Sequence, residues 1–183
     1  MKTKLFTLLL AVVVSIGTMF ASDIQVDGIW YDFNSSNKTA AVTYRGSSYS
    51  SYPNEYTGEV VIPASVTYYN EEYSVTSIGS SAFEDCTGLK SVTIPNSVTS
   101  IGIYAFIGCT GLTSVHISDM AAWCAISFGS SDANPLYYAH NLYLNETLVT
   151  DLVIPGSVTS IGSMAFWNNQ IGTNVSFKYR LCA

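Results

Sequence analysis

Charge is scarce in this chain. Only 11% of its 183 residues are charged, and the balance is acidic, with seven Lys and Arg against thirteen Asp and Glu. An acidic chain repels phosphate backbones, which excludes nucleic acid as a natural partner. Histidine is nearly absent too: His116 and His140 are the two, and neither lies in an ordered spacing with carboxylates. That excludes the patterned ligand sets of metal sites and the order of a catalytic triad. The four cysteines (Cys86, Cys109, Cys124 and Cys182) contain no C-x-x-C pair, so neither a zinc knuckle nor a thioredoxin-like dithiol is expected. No G-x-S-x-G, P-loop or G-x-G-x-x-G occurs. The adjacent acids Glu84 and Asp85 read as a solvated turn, because acid–base catalysis needs carboxylates opposed across a cleft. No enzyme activity, cofactor or metal is expected.

Long apolar runs are missing as well, except at the N-terminus. There "MKTK" is followed by "LFTLLLAVVVSIG" and the small-residue stretch "TMFAS". This is the charged, apolar and cleavage-site sequence of a secretory signal, and residues 1–21 are expected to be removed on export. The apolar run falls short of the ~20 residues that span a bilayer comfortably. No membrane span is expected after cleavage, and the protein should be secreted or held at the cell surface.

What is present is repetition. "SVTSIG" occurs at 74–79, 97–102 and 157–162. From Leu89 the register "LKSVTIPNSVTSIGIYAFIGCTG" runs to Gly111 and restarts at Leu112, a unit of 23 residues. Its opening L-x-x-V-x-I spacing and its length match a leucine-rich repeat. Such a unit cannot bury its own apolar side, so units must stack around one shared core. The expected fold is mainly β: a leucine-rich-repeat solenoid of about four to five rungs with an N-terminal β-meander cap and little helix.

The uneven spacing marks insertions. The unit at 57–88 is longer by nine residues centred on "YYNEEY", which reads as a hairpin turning near Asn70 and Glu71. The unit at 112–148 has 37 residues, and its "SFGSSDANP" core carries the turn residues of an exposed excursion. The expected organisation is a signal peptide over 1–21 and a β cap over 22–56. The solenoid follows over 57–171, and 172–183 forms either a terminal strand or a truncated last rung. In the cap, "DGIWYDF", "TAAVTYR" and "SSYSSYPNEY" alternate apolar with polar residues between "NSSN" and "GSS" turns.

The motif "LKSVTIPNSVTSIGIYAFIGCTGLTSVHI" resembles the BspA-like leucine-rich repeats, marked by "IP-SVTSIG", "AF" and "C-GL" in each unit. The insert "DMAAWCAISFGSSDANPLYYAHNLYLNETLVTDLVIP" is similar to an irregular unit of the same family. The resemblance covers residues 57–170 and implies a secreted or surface-displayed bacterial protein, with relatives in some protists. It implies adhesion and interaction, in some members with host matrix proteins or other cells, and no residue motif for binding. This chain departs from the pattern where the third "AF" is followed by "WNNQ".

Stacking places Cys86 and Cys109 about 4.8 Å apart, within disulfide range, yet pointing the same way. A ladder of buried thiols is the simpler expectation, with Cys124 and Cys182 paired only if the fold joins them. The second, third and fifth strand positions should face solvent: Lys90, Ser91 and Thr93, then Thr113, Ser114 and His116, then Thr150, Asp151 and Val153. Solenoids bind extended partners on such strips. Candidate partner-binding residues are thus Lys90, Thr93, Thr113, His116 and Asp151, with Trp123, Phe128, Tyr137 and Tyr138 of the insert as an aromatic patch. Seven tyrosines between Tyr44 and Tyr73 serve either recognition or cross-strand packing. The leading function is a non-catalytic protein-binding module, with host matrix or cell-surface proteins as partners; the alternative is a glycan-binding module using the Tyr and Trp clusters. In every "SVTSIG", Val and Ile are expected to point inward while Gly lets the chain turn.

Overall fold

The structure, a computed structural model, describes residues 24–166. The expected signal segment 1–21 and the expected terminal strand 172–183 lie outside the described residues. The chain starts as an antiparallel meander of β1 (Ile24–Val26), β2 (Ile29–Asn34) and β3 (Thr39–Thr43). Asp27 and Gly28 join the first two strands with φ of 50° and 86°, the paired left-handed residues of a tight hairpin turn. The expected segment "DGIWYDF" thus opens on a turn, and the strand before it was not among the expected cap segments. Nor is 44–57 a strand; it is a loop containing one 3-10 turn at Tyr49–Ser51.

The repeats then build two sheets. β4 (Gly58–Val61), β5 (Ser65–Tyr68), β6 (Glu71–Ile78), β7 (Leu89–Thr93), β8 (Ser100–Ile101) and β9 (Ser114–Ile117) follow in order. The insert supplies α1 (Met120–Ala125), β10 (Ser127–Phe128), α2 (Leu136–Ala139), β11 (Leu142–Leu144) and β12 (Thr147–Leu148). One sheet runs β1-β2-β3-β6-β8-β10, with β5 hairpinned onto β6; the other runs β12-β11-β9-β7-β4. The strands that stack from rung to rung are parallel. This is the leucine-rich-repeat coil that the period implied.

Register explains the burial. In the first sheet Val42, Ile78, Ile101 and Phe128 pair in one column, and all four are buried. In the second, Val60, Val92, Val115 and Leu142 form the matching column, also buried. Each rung contributes one branched or aromatic side chain per column, so the core is continuous although no single rung has one. A third line of contacts joins the "AF" segments: Phe83 N–H donates to Ala105 O at 2.8 Å, and the Phe83 and Phe106 rings stack at 4.8 Å.

The "SVTSIG" glycine has a tighter job than turning. A Cβ on Gly102 would overlap the backbone nitrogen of Ser80 in the preceding rung, and one on Gly162 would overlap the Ile126 carbonyl. Only glycine lets the rungs approach this closely. The third copy differs from expectation. It forms no strand over 157–162, its Ile161 is 36% exposed, and Gly162 N–H donates not to another "SVTSIG" but to Cys124 O of the insert. Its Val and Ile are therefore not buried at the depth reached by Val75, Ile78, Val98 and Ile101.

The insert overturns its expectation more fully. Phe128, Ala133, Asn134 and Pro135 are buried while Ser127 and Gly129 are exposed, so "SFGSSDANP" packs one side into the core instead of forming an excursion. β11 takes the next place in the second sheet, with Leu142 opposite Val115, 27 residues later. The long unit is thus a slightly enlarged rung plus a hairpin, whose turn residues Asn145 and Glu146 have φ of 49° and 61°. The "YYNEEY" hairpin is present, with its turn at Tyr69 and Asn70 rather than Asn70 and Glu71.

Candidate binding surface

On the solvent side of the second sheet, cross-strand register aligns Val61, Thr93, His116 and Tyr143. Alternation forces this: Val92, Val115 and Leu142 point inward, so their successors point out. The His116 and Tyr143 rings stack nearly parallel, 4.6 Å apart. His116 Nδ1 also lies 3.2 Å from the Glu146 carboxylate, and Glu146 is 82% exposed on its side chain. A left-handed backbone at Glu146 aims this carboxylate back at the strand face. Such local strain is held where surrounding structure over-determines it. Beside the trio lies an open depression of about 480 Å³, lined by Ile62, Ile94, Pro95, Ile117 and Asn145 along with His116 and Glu146. It combines an apolar floor with an imidazole, an amide and a carboxylate at the rim, the mixture from which recognition sites are made.

Of the expected residues, Lys90, Thr93, Thr113 and His116 come together on this sheet. Thr113 precedes β9, and both its N–H and its hydroxyl donate to Lys90 O, at 2.9 and 3.0 Å. Asp151 does not join them. Residues 150–154 form no strand, because β12 returns antiparallel on β11 and occupies the edge of the sheet. Asp151 instead borders a separate depression with Met120, Leu144, Leu148 and Val153. Trp123 is corrected outright: it is 1% exposed, its indole N–H donates to Ala165 O at 3.0 Å, and it cannot present a ring to a partner. Tyr137 and Tyr138 are half-buried against each other. The Tyr138 hydroxyl accepts from Gly108 N–H at 3.0 Å, a hold between rungs.

Sequence reasoning missed Tyr143 and Glu146. The signal was present in "NLYLNETL", an alternating run with a two-residue turn, but the regular repeat pattern does not extend over it. The tyrosine group divides: Tyr56 and Tyr73 are buried, while Tyr49, Tyr52 and Tyr69 are exposed. Phe33 stacks on Tyr68 at 4.7 Å and meets Tyr73 edge-on at 4.8 Å, as cross-strand packing requires.

Cys86, Cys109 and Cys124 are free, buried thiols, each pushed up from the ordinary cysteine value by burial. Among the described residues no three His, Cys, Asp or Glu side chains form a metal-holding group. None of their helices is long and apolar enough to cross a membrane.

The fold and face define a leucine-rich-repeat protein that offers a surface. The chain belongs to the BspA-type leucine-rich repeat family, whose model matches residues 57–131 and 136–182 in six copies. It is similar to a leucine-rich repeat protein from Bacteroides capillosus at 27% identity, over 86% of this chain and 99% of that one, with a TM-score of 0.46. It is also similar to a leucine-rich cell surface protein from Faecalibacterium prausnitzii at 21% identity, over 86% of this chain and 55% of that one, with a TM-score of 0.43. For the T. pallidum leucine-rich repeat protein the identity is 22%, over 79% of this chain and 66% of that one, with a TM-score of 0.43. No curated protein matches the chain. Membership assigns a repeat-surface role of the kind used in protein interaction.

Proposed function

We propose that this chain is an exported, non-catalytic adhesion module that binds a protein partner across the outer face of its second sheet. The signal-like residues 1–21 support export and a secreted or cell-surface location. The division into cap (22–56), solenoid (57–171) and terminal segment (172–183) belongs to the same proposal. One observation carries the binding reading: the stacked His116–Tyr143 pair, held by Glu146 at the edge of a 480 Å³ depression. Aromatic rings fixed by neighbours lose little entropy on binding, and anchors of this kind dominate protein interfaces. Thr93 borders the same depression, and Lys90 and Thr113, joined by the Thr113 hydrogen bonds to Lys90 O, extend the polar surface along the sheet.

The mature chain, immobilised and exposed to matrix proteins and to whole cells, should show saturable binding. Changing both His116 and Tyr143 to Ala should weaken it by about 2 kcal/mol or more, the loss typical of an anchor residue. An unchanged affinity in that folded double variant removes the sheet face from the proposal. Failure to bind any protein or cell removes the adhesion reading itself.

A further inference from the structure

Arg45 follows β3 by one residue and is exposed. Its guanidinium lies 4.3 Å from the Tyr52 ring centroid and 5.5 Å from that of Trp30. The backbone is held as firmly: Arg45 N–H donates to the Glu55 carboxylate at 3.0 Å. Beneath it the buried Tyr56 hydroxyl donates to Thr43 O at 2.6 Å and accepts from Trp30 N–H at 3.0 Å, joining β2 to β3. Among the described residues the ion pairs are Lys38 with Glu71 and His116 with Glu146. Arg45 therefore sits fixed against two aromatic rings in an acidic chain, with no carboxylate on its guanidinium among those residues.

We infer that Arg45, with Tyr49 and Tyr52, is a binding site for a carboxylated sugar, a uronic or sialic acid unit of an acidic glycan. A guanidinium stacked on rings keeps its in-plane N–H groups free for a carboxylate, which it takes through two parallel hydrogen bonds. Tyr49 and Tyr52 are 40% and 42% exposed; their rings supply flat apolar faces with hydroxyl tips, suited to the C–H face of a pyranose. The net charge of −6 disfavours a polyacidic peptide. Each acidic unit of such a glycan carries one carboxylate on an otherwise uncharged ring, and neutral units space it from the next, so Arg45 engages one carboxylate at a time. The site lies in the loop after β3, against Trp30 of the first sheet, and does not depend on the protein-binding reading of the second.

Titration of the full chain with a hyaluronan hexasaccharide and with sialyllactose, followed by calorimetry or NMR, tests it. At least one of these acidic sugars should bind. Lactose and carboxyl-reduced hyaluronan should bind roughly tenfold more weakly or not at all, the size of one lost charge-assisted hydrogen bond. Arg45→Lys keeps the charge but not the planar fork and should lose about as much. Tyr52→Ala should weaken binding too, and His116→Ala should leave it unchanged. A circular-dichroism melt of each variant establishes that it is folded, and Tyr49→Ala replaces any variant that is not. Equal binding of neutral sugars, tighter binding of a poly-glutamate peptide, unchanged affinity in folded Arg45→Lys, or no binding of either acidic sugar overturns the assignment.

Discussion

On the outward face of β2, Trp30 and Asp32 stand two positions apart, and neither the indole nitrogen nor one carboxylate oxygen finds a hydrogen-bond partner among the described residues. Burial raises the Asp32 carboxyl above its ordinary value. A carboxyl whose folded value exceeds its unfolded one opposes folding when ionised. The opposition is full above the folded value and vanishes below the unfolded value of about 3.9. Asp32→Asn should therefore melt at a higher temperature than the parent at pH 7, and the gap should close as the pH falls to about 3. A gap independent of pH would remove ionisation as the cause. The thiols give a second residue-scale test. With Cys182 changed to Ser, the folded chain should show no thiol reactive toward a disulfide reagent at pH 8. Unfolding in denaturant should release Cys86, Cys109 and Cys124 together. Stacking at one inter-strand spacing left a disulfide open for Cys86 and Cys109. The Cys109 thiol instead donates to Phe83 O at 3.0 Å.

Among the elements, the insert departs most from its sequence signals. Its turn-rich composition describes short helices and tight loops as well as it describes an exposed excursion, and composition does not say which side of the chain is covered. Asp119 caps α1 by accepting from Ala121 and Ala122 N–H. Asn134, fully buried, then fastens the insert to the last described rung. Its amide donates to Met164 O at 2.6 Å and Ala165 O at 3.1 Å, while its oxygen accepts from Leu136 N–H at 2.9 Å. Both polar atoms of this side chain are engaged, so truncation leaves Met164 O and Leu136 N–H unpaired, while Ala165 O keeps the Trp123 indole. Asn134→Ala should cost about 3 kcal/mol of unfolding free energy, at roughly 1–3 kcal/mol per orphaned group. Chemical denaturation measures it, and a loss below 1 kcal/mol would show that the groups find other partners.

For the whole molecule, the same insert decides how the protein can be dissected. β11 fills a place in the second sheet, Trp123 and Leu136 fill the core, and Tyr143 and Glu146 build the candidate face. Deleting 118–147 should abolish the cooperative thermal transition rather than yield a folded chain without a loop. A sharp melt in the deletion chain would contradict the continuous core. Point changes at His116, Tyr143 and Arg45 are the cleaner probes, because they alter the two candidate surfaces and spare the columns beneath.

The sequence by itself determined the coil. A 23-residue unit, lengthened by insertion in two of its copies, with apolar residues at fixed places forces stacking, since each unit can bury its apolar side only against its neighbours. That same regularity made Val92, Val115, Ile78 and Ile101 legible as core, and Thr93 and His116 legible as outward neighbours. Tertiary structure alone decided where the pattern breaks. Trp123 points inward because the Ala165 carbonyl, 42 residues away, takes its N–H. Asp151 leaves the strip because β12 folds back over the sheet edge. His116 gains Tyr143 and Glu146, and Arg45 gains Trp30 and Tyr52, through contacts between segments that no local period relates. Periodicity records which side of a strand is buried; it carries nothing about which distant side chain will stand beside it.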